Sequence, residues 1–176
     1  MNDNINVAVP EPTNLRTKMR DKRFVAVHRG GLLTKDAHNK LIRWARECSE
    51  HVLSLIDKNV DNRLVHALRI AKEWENDNVP TGDAMKASLG AHAVARESSN
   101  PISTAVARSI GQAVATAHMA DHSLGAALYA LKAMKHAGKT LDKEREWQNK
   151  QLQQLPSEIV ELVLNTMIDK EKGLKI

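Results

Sequence analysis

From residue 34 onward, apolar side chains recur with the period of an α-helix rather than the alternation of a strand. Leu41, Trp44, Ala45, Cys48, Val52 and Leu55 fall on one face, with Lys40, Arg43, Glu47 and Glu50 opposite. This predicts an amphipathic helix that is capped by Thr34 or Asp36 and ends near Asp57. A second helix starts at the cap Asp61 and runs to about Asn76, with Leu64, Ala67, Leu68, Ala71 and Trp74 inward. Asn78, Pro80 and Gly82 then break the chain. The third, over residues 81–98, packs through Ala84, Ala87, Ala91, Val94 and Ala95. Asn100 and Pro101 are the cap and first residue of a fourth, antiparallel to it.

Residues 103–137 are crowded with Ala and Gly, and they form the stretch around which the bundle is organised. Ala107, Gly111 and Ala115 recur every four residues, a face small enough for another backbone to come close. Gly in mid-helix costs roughly 0.8–1.0 kcal/mol relative to Ala, so Gly111 should sit where even a methyl would clash. One helix over this stretch would exceed about 50 Å at 1.5 Å per residue, too long for a domain of this size. A break near Ala120 and Asp121, with Asp121 as a new cap, gives two helices, the second ended by Gly138. Two more follow: residues 142–154 anchored by Trp147, and residues 156–170 with Ile159, Leu162, Val163 and Met167 inward. The prediction is all-α, a multi-helix bundle of about seven helices over residues 34–176, preceded by an extended N-terminal arm, residues 1–33.

In the arm, Ile5, Val7 and Val9 alternate with polar or small residues, and residues 24–27 are a second β-favouring run. They would pair as a small ribbon or lie over the helices, with Gly30 and Gly31 as a flexible joint. The start of the chain has no basic, long-apolar leader pattern and no window is apolar enough to span a bilayer, so we expect a cytoplasmic protein without membrane contact. The single cysteine, Cys48, lies on an apolar stripe and reads as a buried thiol.

The formal charge is +5, of which the arm carries +3: Arg16, Lys18, Arg20, Lys22, Arg23 and Arg29 against Asp3, Glu11 and Asp21. The bundle is therefore close to balanced, its charges alternate along the helices, and it has only five aromatics with the arm included. That composition disfavours nucleic acid as the partner, because phosphate-tracking grooves need clustered Lys and Arg.

The runs at residues 44–57 (WARECSEHVLSLID), 66–77 (HALRIAKEWEND), 91–98 (AHAVARES) and 111–133 (GQAVATAHMADHSLGAALYALKA) resemble the immunity proteins of bacterial polymorphic toxin systems, the all-α immunity-protein-five-like group. The resemblance covers about residues 33–163. It implies a cytoplasmic, bacterial binding protein that neutralises a protein toxin. Self-association through the arm or the small-residue faces is a further expectation.

Among the polar groups, His118 and His122 stand four apart with Asp121 between them, the spacing at which one continuous helix could offer a divalent metal two imidazoles and a carboxylate. The zincin pattern H-E-x-x-H has Met119 where its Glu belongs, and the reversed H-x-x-E-H has Asp121 in that place, one methylene short. A helix break at Asp121 would separate the two rings. His92 should face about Ala107, which places His118 roughly 16 Å further along at 1.5 Å per residue. The candidate polar pocket comprises His92, Arg96, His118, Asp121, His122, Tyr129, Trp74 and Arg63. Arg96, Arg108, Arg63 and Arg69 read first as ion-pair partners that lock helix ends. The sequence shows no Ser-His-Asp order, phosphate-cradling Gly loop or Cys cluster. The chain thus reads as a non-catalytic binder without a cofactor; the alternatives are a metal-dependent enzyme at His118, His122 and Asp121, or a nucleic-acid-associated protein.

Overall fold

The computed structural model describes residues 20–56 and 58–176. The alternation at Ile5, Val7 and Val9 lies outside them. Among the described residues the chain forms seven α-helices and no strand: α1 (Lys35–His51), α2 (Asn62–Glu75), α3 (Thr81–Glu97), α4 (Pro101–Ala115), α5 (His122–His136), α6 (Leu141–Leu152) and α7 (Ser157–Leu174).

Helix starts follow local chemistry. Thr34 Oγ1 accepts from the Ala37 N–H at 3.2 Å, Asp61 Oδ1 from Arg63 at 2.8 Å, and Asn100 Oδ1 from Ile102 and Ser103 at 2.9 and 3.1 Å, each satisfying donors that the first turn leaves open. α1 ends at His51, earlier than its stripe suggested, and a 3-10 turn over Leu53–Leu55 carries the chain on. Gly138, at φ +66, closes α5 in the left-handed conformation that a side chain would strain.

α4 is the centre of the molecule and packs against α1, α2, α3 and α5. Val106, Ala107, Ile110, Gly111, Ala113 and Val114 are all buried along it. One apolar cluster lies around α2, α3 and α4, with Ile42 from α1; a second joins Trp44 to Leu124, Leu152 and Leu162. Residues 20–33 lie against this second cluster. Phe24 and Leu33 are buried in it, and the strand tendency of this run is expressed only as an isolated bridge between Ala26 and Leu33. Gly31 is held so close to Val25 that a Cβ would overlap its carbonyl, so Gly30 and Gly31 form a closed turn rather than a loose joint.

The break in the Ala-rich stretch falls at residues 116–121. Asp121 does not cap α5: its backbone is helical (φ −70°, ψ −11°) and its side chain makes no capping bond. Capping by a carboxylate requires extended backbone at that position, which this turn does not supply. Among the described residues no helix is long and apolar enough to cross a membrane.

Candidate functional site

At one end of the bundle, residues 20–33, the start of α1, the turn between α2 and α3 and the turn between α4 and α5 enclose a cavity of about 500 Å³. The geometry begins with the end of α4. The last carbonyls of a helix have no partner within it, and here the Thr116 carbonyl accepts from His38 Nε2 at 2.6 Å. A carbonyl can only accept, so Nε2 of His38 carries a proton. Its ring lies 4.8 Å from that of Trp74, whose indole N–H donates to Thr81 Oγ1 at 3.1 Å. Burial, more than any other cause, holds the His38 imidazolium below its ordinary range. Lys35 places its ammonium 4.2 Å from the Trp74 ring centroid and pairs with Asp77, which occupies the left-handed region at φ 61°. Trp74 and His118 are the two candidate residues in this wall.

The second polar place is the outer side of α3, α4 and α5. The His92 ring lies over Gly111, where a Cβ would come within 2.7 Å of Cε1. His92 is thus beside Gly111, one turn beyond Ala107. Arg108 Nη1 donates to His92 Nδ1 at 3.2 Å, which requires a neutral ring. In agreement, burial, then the charges of Arg108, His122 and Arg96, push the pKa of His92 down to about 4. His122 Nδ1 donates to Gln112 Oε1 at 2.7 Å, and Gln112 in turn covers Gly125, where a Cβ would meet the same oxygen at 2.6 Å. Two glycines on neighbouring helices thereby admit one polar layer, His92 to Arg108 and Gln112 to His122. Arg96 is exposed beside it and Tyr129 is half-buried on α5.

The remaining candidates stand apart. Arg63 bridges Asp61 (2.9 Å) and Glu97 (2.6 Å), tying the start of α2 to the end of α3. His118 lies in the turn and His122 in the first position of α5; their ring centroids are 6.4 Å apart. Asp121 sits 3.8 Å from Lys170 through Oδ2, while its Oδ1 is buried without a hydrogen-bond partner among the described residues. Among those residues no group of three or more His, Cys, Asp or Glu side chains is placed to hold a metal ion.

Sequence reasoning missed Arg20, Arg29, Lys35, His38 and Asp77 as parts of one site. Four of them lie within residues 20–38, and Asp77 joins them from the turn after α2. Arg20 and Arg29 were read only as part of the arm's excess of positive charge.

An all-α bundle with a cationic cavity at one end and a polar layer across its central helices is the class that these features define. Residues 31–155 match the family described as Imm-5 like putative immunity protein, and the chain belongs to that family. No curated protein and no solved structure matches the chain.

Proposed function

We propose that this is a bacterial cytoplasmic immunity protein that binds a protein toxin and neutralises it by occupying its surface, without chemistry of its own. The family match over residues 31–155 carries the reading. Two features support it. The imidazoles of His38, His51, His92 and His122 are each engaged by a protein group, namely the Thr116 carbonyl, Glu144, Arg108 and Gln112, as expected of side chains that organise a fold. On α3, Met85 and Leu89 are exposed in the same stripe as His92 and Arg96, and Arg108 on α4 bonds His92. Met and Arg are enriched at protein interfaces, and an acidic surface would complement the arginines.

The test is co-expression. Each open reading frame flanking the gene is induced in a heterologous bacterial host with and without this chain. One frame should arrest growth, and the chain should restore it. Arrest that persists with the chain present and soluble, or no toxic neighbour at all, contradicts the reading.

A further inference from the structure

We propose that the cavity at the end of the bundle is a binding site for a small organic anion, a carboxylate or phosphate ester joined to an apolar body. The inference stands apart from toxin binding and rests on the cavity's size, its charge and the unequal use of its cations.

At about 500 Å³ the cavity is in the range of small-molecule sites, roughly 300–1,000 Å³. Its apolar lining includes Phe24, Leu33, Val79, Met119 and Ala120. Its cations are Arg20, Arg29 and Lys35, and Asp77 is the one carboxylate among the described residues of its wall. Lys35 is already paired with Asp77, so that charge is cancelled. Among the described residues the two guanidinium groups have no carboxylate partner. Arg20 Nη2 rests on the sulfur of Met119 at 3.1 Å, and Arg29 Nη1 reaches the His118 carbonyl only at 3.5 Å. A thioether is a weak acceptor, and each guanidinium has five donors in a rigid fork that fits a carboxylate or phosphate.

The surrounding backbone has the same sign. α1 and α3 begin in the wall at Lys35 and Thr81, and helix N-termini carry partial positive charge. The opposing dipole end, the terminal carbonyl of α4, is occupied by His38. Besides burial, the neighbouring cations, Arg29 among them, also disfavour the protonated form of His38. A bare inorganic ion would leave the apolar lining uncovered, whereas an anionic head on an apolar body satisfies both the cations and the apolar lining.

The protein offers an internal probe. Trp74 lines the cavity, while Trp44 and Trp147 do not. The full-length ¹⁵N-labelled protein is titrated with 1-naphthyl phosphate, 1-naphthoate, the neutral 1-naphthamide and inorganic phosphate, following the three indole N–H signals by NMR. At least one of the two naphthyl anions should shift the Trp74 signal saturably and leave Trp44 and Trp147 in place; which one does so identifies the preferred head group. Naphthamide and inorganic phosphate should bind at least about tenfold more weakly. The Arg20→Gln/Arg29→Gln variant, altered at two exposed side chains and checked by thermal unfolding, should lose about tenfold in affinity or more. The proposal is overturned if neither anion moves Trp74, if naphthamide binds as tightly as the anions, if all three indoles shift together, or if the double variant binds like the wild type.

Discussion

The imidazole of His92 lies so close to Gly111 that a methyl group there would come within 2.7 Å of its Cε1, and the same ring accepts a hydrogen bond from Arg108. Gly111→Ala therefore sets two effects against each other. Helix propensity should favour the variant by roughly 0.8–1.0 kcal/mol, and overpacking should oppose it by about 1–3 kcal/mol. We expect net destabilisation in urea unfolding, relieved when His92 is also replaced by Ala. A Gly111→Ala protein as stable as the wild type, or a double variant no better than the single, would show that the ring does not fill this space.

Glu75 and Glu97 both pair with arginine, in opposite surroundings. The Glu75 side chain is 6% exposed between Arg43 and Arg46; the Glu97 side chain is 59% exposed against Arg63. Removing one partner of a buried pair strands the other charge and costs about 3–5 kcal/mol, whereas an exposed pair contributes at most about 1 kcal/mol. Urea midpoints of Glu75→Ala and Glu97→Ala should differ accordingly. Equal losses would contradict the burial that separates them.

Three histidines, His38, His92 and His122, have imidazolium forms disfavoured in the folded protein, mainly by burial. In the unfolded chain each returns towards 6.5, so below that pH the unfolded state binds more protons and stability falls with pH. For His92 the loss continues until its folded value of about 4. Asp61 and Glu97, held below their ordinary carboxylate values by Arg63, add their losses in more acidic solution. Urea midpoints between pH 7 and pH 5 should therefore fall, and fall less steeply in His92→Gln. A flat profile, or an unchanged slope in the variant, would refute the neutral His92 that Arg108 requires.

The helices were legible wherever the inward face was apolar. The stripe of α1 from Leu41 to Val52 is buried as its period predicts, and the cost of Gly111 in mid-helix announced a close contact. α6 was not legible in the same way, because Glu144 and Gln148 accompany Leu152 on its buried side. Their partners come from elsewhere: His51 bonds Glu144, the Gln148 amide donates to the Ala127 carbonyl, and Trp147 stacks on His51. A hydrophobic period cannot register polar groups that distant elements satisfy. The register of His92 was off by one turn for a steric reason, since a methyl at Ala107 fills space that Gly111 leaves open. The cavity was least legible of all. Its cations all lie within residues 20–35, but its other walls are the turns after α2 and α4, whose approach no local pattern records.

The central claim is neutralisation by binding, and stoichiometry tests it most directly. A fixed amount of the purified toxin encoded beside the gene is titrated with this protein while the toxin's activity is followed to completion. Occupancy predicts a linear fall that ends at molar equivalence and does not deepen with longer incubation. Abolition of activity by a small fraction of an equivalent, progressing with time, would mean turnover and would contradict the account.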